Sequence, residues 1–341
     1  MRTAMVTFVF TVGAAVAEVP RVAVDIAPVH SIVAAVMQGV ATPDLIVPPG
    51  ASPHGYSLRP SEARALQSSD IVVWMGPALA PWMDGPIDAL AGDARVITLL
   101  DHPRTEVLEI REGAGFEAHD HDHGGDDGHD DHDTHAHDNH ADEHEDHGQD
   151  EHGHDDDAHD DHAKEDKAAH GHEGTLDPHA WLSPENAMAW ADLVAIALTQ
   201  ADAENGAIYA ANADNFKSEI KGLQGEIEQM LSPVRGKPFI VFHDAYHYFE
   251  HHFDIEASGA LSDTDAAAPS PARVAEVRTL VNDTGAVCAL TEPQFNPAIL
   301  DAVGIANRGE LDPIGSTLEP GPMLYETLMR NLSASLLNCL K

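Results

Sequence analysis

The chain has 341 residues, enough for about two domains. It carries 58 Asp and Glu against 18 Lys and Arg, a formal net charge of −40. A surface of that sign repels nucleic acid and anionic membranes and attracts cations, which excludes nucleic-acid binding as a function class.

The chain opens MRTAMVTFVFTVGAAVAEVP. Arg2 gives a positive start, Ala4 to Ala14 is mostly apolar, and Ala15-Val16-Ala17 is a small-x-small cleavage site. The pattern is that of a secretory signal peptide over 1–17, cut after Ala17. A buried N-terminal strand or an uncleaved anchor is the plain alternative, but the apolar run is too short to span comfortably. No Cys follows the cleavage site, so a lipid anchor is not indicated, and no other stretch is long and apolar enough for a membrane-embedded protein.

After the signal, RVAVDIAP reads as a strand and HSIVAAVMQGV as a helix stopped by Gly39. DLIVPP is a short strand leading into the loop GASPHGYSLRPSEA. SEARALQSS is a helix, DIVVWMG a strand, GPALAPWMDGPIDAL a helix and ARVITLL a strand. After an interruption, Ser183 caps a helix running to about Gln200, and a longer one runs from about Ala203 to Leu231. A second alternating unit follows. PFIVFH is a strand, DAYHYFEHHF a helix, and PSPARVAEVRTLVNDTG a helix with Ser270 as cap and Gly285 as stop. AVCALTE is a strand, NPAILDAVGIAN a helix, GELDPI a strand into a loop, and PMLYETLMRNLSASLLNCL the terminal helix. Short buried strands alternating with helices predict an α/β fold with mostly parallel sheets, whose ligands sit in loops at the carboxyl ends of the strands.

The interruption is a tract of acidic residues and histidines. It holds sixteen of the 24 histidines: His119, His121, His123, His129, His132, His135, His137, His140, His144, His147, His152, His154, His159, His162, His170 and His172. With 22 Asp and Glu against Lys164 and Lys167 over 119–173, it supplies half of the net charge. It has no hydrophobic periodicity, so it reads as a disordered insertion on a surface loop. Imidazole and carboxylate together bind borderline divalent metals, zinc, copper or nickel.

Three single histidines stand near strand ends beside turn residues. His54 lies between Pro53 and Gly55, His179 lies just before a capped helix, and His243 follows PFIVF directly. A lone His is usually a satisfied core or surface residue. Three in matching positions of an exported, histidine-laden chain point instead to a zinc site, which wants about four ligands. Asp312, in ELDPIG, is a carboxylate in the corresponding place, and water is the other candidate for the fourth position. His30 follows the first strand and is a candidate to line the cleft behind the ligands, and Glu292 in TEPQ is a candidate hydrogen-bond partner of a ligand histidine. His247 and His251, spaced one helical turn apart after His243, read as a solvent-exposed stripe or a second metal site, with His252 beside them. Trp181, Phe242 and Tyr246 read as cleft lining or as core. The even pair Cys288 and Cys339 suggests a disulfide. Metal-binding thiolates are the alternative, although Cys288 sits within AVCAL and neither cysteine has a nearby Cys or His.

PHGYSLRPS, DPHAWLSPENA, FHDAYHYFE, PSPARVAEV, TEPQFNP and LDPIGS, in this order, resemble the metal-binding receptors of bacterial ABC importers, and most closely the zinc-uptake (ZnuA-type) branch of the cluster A-I solute-binding proteins. The resemblance covers the mature chain outside the tract. It implies two α/β lobes joined by one long rigid linking helix, with the metal site in the interlobe cleft. The division would be a lobe over 18–202 carrying the loop of about 117–173, a linking helix over 203–232 and a second lobe over 233–341. It implies His54, His179 and His243 as ligands. In manganese- and iron-type relatives the third position is typically Glu, so His243 speaks for zinc. An acidic His-rich loop is a feature of the zinc branch, and Cys288 and Cys339 match its disulfide positions. One departure is Pro53, where some members place a ligand Glu, which leaves Asp312 or water.

The implied function is a periplasmic Zn2+ receptor, a monomer and not an enzyme, delivering its ion to the membrane permease of an ABC transporter. The tract would bind further zinc weakly. The alternatives are a periplasmic metal-buffering or storage protein with the tract as main site, or a manganese, iron or nickel receptor of the same family. A zinc hydrolase would need an open coordination position and a nearby base, and HExxH, GxSxG and phosphate-loop motifs are absent from the sequence.

Overall fold

The structure is a computed structural model that describes residues 18–116, 176–262 and 268–341. The expected signal peptide and the histidine tract lie outside the described residues. In the first half, strands β1 (Val22–Val24), β2 (Asp44–Leu45), β3 (Ile71–Trp74) and β4 (Arg95–Thr98) form one parallel sheet in the order β2-β1-β3-β4. Helices α1 (Ala27–Val36), α2 (Pro60–Gln67) and α3 (Asp84–Leu90) connect them. In the second half, β5 (Phe239–His243), β6 (Gly259–Ser262), β7 (Cys288–Thr291) and β8 (Asn307–Glu310) form a second parallel sheet in the order β6-β5-β7-β8, the same topology. The second half also contains α6 (His247–Phe253), α7 (Pro271–Thr284) and the C-terminal α8 (Leu324–Leu340). Helices α4 (Pro184–Ala201) and α5 (Gly206–Leu231) stand between the halves in sequence. No helix among the described residues is long and apolar enough to cross a membrane.

Strand sequence and layer agree residue by residue. Side chains alternate across a strand. Ile71 and Val73 of β3 face a large central core, while Val72 and Trp74 face an outer cluster with Ile46, Leu66, Met83 and Ile87. Likewise Phe239 and Val241 of β5 face the central core, and Ile240 and Phe242 an outer cluster with Leu261, Val277 and Leu300. In β3 and β5 both faces are covered, which is why these inner strands read as continuous apolar runs, whereas the edge strands β4 and β8 are largely exposed. The central core is shared: it includes residues of both sheets together with α1, α4, α5 and α8.

Helix α5 has 26 residues, about 39 Å at 1.5 Å each. Its buried residues Tyr209, Ala213, Phe216, Ile220, Leu223, Ile227 and Leu231 recur at three- and four-residue intervals and form one stripe. Helix α8 returns to the first half, where Ser31 of α1 accepts from the Tyr325 N–H at 2.9 Å. Cys288 of β7 is bonded to Cys339 of α8, with Cα atoms 5.7 Å apart. Ser183 and Ser270 cap α4 and α7 through bonds to the backbone of Asn186 and Arg273. Gly285 closes α7 at φ +68°, where a residue without Cβ is favoured.

Several element expectations need correction. Helix α1 begins at Ala27, three residues before His30, because Pro28 fits a first turn. Only Asp84–Leu90 of GPALAPWMDGPIDAL is α-helical, preceded by a 3-10 turn at Pro81–Met83. NPAILDAVGIAN holds a 3-10 helix, Pro297–Ala302. Strand β6 was not foreseen, since GALS is too short to show a period. It depends on Gly259, where a side chain would collide with the Ala114 carbonyl as Ala114 accepts from the Ala260 N–H at 3.1 Å.

Candidate metal centre

Three distant segments bring one histidine each to the space between the two sheets. His54 is half-buried in the loop between β2 and α2. His179 immediately precedes the 3-10 turn Ala180–Leu182 at the entrance to α4, and His243 is the last residue of β5; both are buried. One ring nitrogen from each lies within 4.8 Å of the others. The ring centroids are 4.9 Å apart for His179 and His243, 5.7 Å for His54 and His179, and 6.0 Å for His54 and His243. Tetrahedral zinc holds nitrogens at about 2.0–2.1 Å, hence about 3.3 Å from one another, so the three rings are spaced to converge on one ion.

Buried carboxylates orient two of these rings. Asp177 Oδ1 accepts from the His179 N–H at 2.9 Å and from its ring Nδ1 at 2.7 Å. Nδ1 then carries the proton, and Nε2 is left with its lone pair. Burial pushes the Asp177 carboxyl up to about 6; the His179 N–H and nearby positive groups oppose the rise. Glu292 Oε1 lies 3.2 Å from His243 Nδ1, and its Oε2 accepts from Gln294 at 2.6 Å. The Trp181 ring stands 5.2 Å from that of His179, held by its indole N–H donating to the Pro313 carbonyl at 2.7 Å.

The three histidines line two cavities. One, of about 490 Å3, is also lined by Trp181, Glu292, Asp312 and residues 50–53. The other, also about 490 Å3, is lined by residues 110–113, Asp177 and Asp244. Asp312 therefore borders the same space as the histidines but is not one of the group within 4.8 Å, and its Oδ2 accepts from Ser316 Oγ at 3.0 Å. On the wall of the second cavity, Arg111 forms ion pairs with Asp244 and with Glu250, the latter at 2.7 Å, and its guanidinium lies 3.8 Å over the Phe116 ring. Asp244 follows His243 directly, so Arg111 ties the chain leaving the first half to the end of β5.

The remaining candidates fall elsewhere. His30 is buried in α1, where its Nε2 bonds the Pro43 carbonyl at 3.0 Å, and it borders neither cavity. His243 belongs to a strand and α6 begins only at His247, so the two share no helical face. Of the stripe, His251 is exposed; His247 is partly buried, and His252 pairs with Glu185 at 2.8 Å. Trp181 alone of the three aromatic residues borders the triad. Phe242 stacks on Phe295 in the outer cluster, and the Tyr246 hydroxyl donates to the Leu311 carbonyl at 3.2 Å. Asp177 and Arg111 escaped the sequence reading. The DPH spelling carries the signal for Asp177, since an aspartate readily accepts from the backbone N–H two residues on. Nothing local marks Arg111.

The family model for the zinc-uptake complex component A, periplasmic (ZnuA), matches residues 22–339. A high-affinity zinc uptake system protein ZnuA of Brucella abortus (strain 2308) is 42% identical over 322 residues, covering 94% of this chain and 91% of the relative. One of the same name from Paracoccus denitrificans (strain Pd 1222) is 43% identical over 328 residues, covering 95% and 93%. Among solved structures, a crystal structure of ZnuA superposes with a TM-score of 0.68 at 18% identity, covering 95% of this chain and 100% of that one, which speaks for the fold. With its two parallel sheets, shared core and histidine triad, the chain belongs to the ZnuA family of periplasmic zinc-uptake components.

Proposed function

We propose that this protein is the periplasmic receptor of a zinc importer, which captures Zn2+ on His54, His179 and His243 and hands it to an ABC-transporter permease. The observation that carries the reading is the convergence of three histidine nitrogens within 4.8 Å, from a loop, a helix entrance and a strand end. Three imidazole ligands suit zinc better than manganese, which favours carboxylate and water. Neutral imidazoles bring no charge, so a carboxylate beside the ion is favourable in a partly buried cleft. Asp312, or water in its place, completes the coordination.

The rest of the assignment belongs to the same proposal. Residues 1–17 are a cleaved signal, 18–202 and 233–341 are the two lobes, and 203–232 is the linking helix. The sixteen histidines between 119 and 172 hold further zinc weakly. The protein acts as a monomer, binds its ion without transforming it and has no enzymatic activity. Relatives named high-affinity zinc uptake proteins, aligned over more than nine-tenths of the chain, support the reading.

Zinc titration in competition with a chromophoric chelator tests it. His54→Ala, His179→Ala and His243→Ala should each weaken the tight site strongly while weak binding persists. A triple variant that still holds one zinc as tightly as the parent would refute the site.

A further inference from the structure

His54 differs from the other two histidines in what carries it. His179 and His243 are fixed in the buried middle of the molecule, beside Asp177 and Glu292. His54 rides on the stretch 46–59, which contains no helix or strand. Two bonds fasten this stretch to the outer cluster of the first half, beside the local bond from the His54 N–H to Ser52 Oγ at 3.3 Å. One residue before it, the Pro53 carbonyl accepts from the indole N–H of Trp82 at 2.7 Å. Two residues after it, the Tyr56 hydroxyl donates to Glu62 Oε1 at 2.8 Å, and the Tyr56 ring lies against Trp82 with centroids 5.6 Å apart. Glu62 Oε2 accepts from the Arg59 N–H at 2.7 Å, closing the end of the same loop. Trp82 packs against the outer cluster, and Glu62 sits in the first turn of α2, so both anchors are part of rigid elements.

A ligand on a loop binds well only if the loop is held near its bound position beforehand, because ordering it at the moment of binding reduces affinity. Partners one step removed from a metal commonly change its affinity 10- to 100-fold. The Trp82 bond is made to the peptide that enters His54, so its loss frees the backbone on which the imidazole is mounted.

We propose that Trp82, assisted by Glu62 through Tyr56, is a positioning residue for His54 and sets how long the bound ion is held. This rests on the reading that His54 is a zinc ligand. The indole N–H is the operative group; the aromatic ring only supports it.

The test uses full-length protein with zinc or cobalt alone. Trp82→Phe keeps a ring against Tyr56 and removes the donor. Zinc release into excess chelator should accelerate about 10-fold. The visible absorption of bound cobalt, which reports coordination geometry, should change, while the thermal midpoint of the metal-free protein stays close to the parent. In a His54→Ala background the same substitution should alter zinc release no further. Glu62→Gln, which keeps side-chain volume, should act in the same direction more weakly, and it serves as the reporter if Trp82→Phe folds poorly. Unchanged release and cobalt spectrum in both variants would overturn the proposal, as would an undiminished effect of Trp82→Phe without His54. If His54→Ala itself leaves tight binding intact, the site reading falls and this inference with it. A silent Trp82→Phe beside a damaging His54→Ala refutes the inference alone.

Discussion

Asp177 holds His179 twice, by the backbone N–H at 2.9 Å and by the ring Nδ1 at 2.7 Å. The two residues are separated by a single proline, so one carboxylate sets both the turn and the ring. The carboxylate keeps the proton on Nδ1 and so fixes the tautomer of the ring. Asp177→Ala should lower zinc affinity about 10- to 100-fold, with the helical circular dichroism of the protein retained. Competition titration against a chelator measures it, and an affinity equal to the parent would show that packing alone orients His179.

Deleting residues 119–172 separates receptor from buffer. A receptor keeps one tight zinc and loses several weak ones. The number of ions bound at saturation should fall, and the tightest dissociation constant should stay within a few-fold of the parent. Loss of nearly all binding would favour the storage reading.

The Cys288–Cys339 bond closes a sequence separation of 51 residues and ties α8 to β7. Cross-links of this length stabilise by about 2–4 kcal/mol, mainly by restricting the unfolded chain. The double variant Cys288→Ser, Cys339→Ser should lose that much in urea unfolding of the metal-free protein. Zinc stoichiometry should not change, because neither sulfur borders the histidine triad. A midpoint equal to the parent would contradict the first expectation.

Burial lowers the pKa of His30 below its ordinary 6.5, outweighing the bond to Pro43. Below that pH the unfolded chain binds a proton that the folded chain resists, so stability falls as the pH drops through about 6.5. Asp25, pushed up to about 7 by burial, works in the opposite sense, because the folded protein keeps its proton. His30→Gln can preserve the bond to the Pro43 carbonyl and removes only the imidazole titration. Between pH 7.5 and 5.5 the change in the urea midpoint of metal-free protein should therefore be more favourable to the folded state in the variant than in the parent. Equal changes would rule out His30 as a contributor.

Much of the fold was legible because parallel strands buried on both faces must be apolar throughout. DIVVWMG, PFIVFH and AVCALTE are such runs, and each is a strand in a parallel sheet. Caps were legible too, as Ser183 and Ser270 show, because a side chain bonding three residues ahead leaves a local signature. Strand β6 was not, because GALS is held by a neighbouring segment and by the absence of a Cβ at Gly259, neither of which has a periodic trace.

The sequence by itself determined the α/β alternation, the acidic surface, the cysteine pair, and a metal-binding chemistry suggested by single histidines at strand ends and helix entrances. Those features depend on side-chain character and on neighbours a few residues away. Only the tertiary structure decided that His54, His179 and His243 converge, that Asp177 and Glu292 stand behind two of them, and that His30 faces Pro43. It also placed Arg111 against Asp244 and Trp82 against Pro53. Convergence depends on the lengths and directions of whole elements, above all the stripe of α5 and the core shared by both sheets. No local pattern of residues encodes a distance between segments so far apart in the chain.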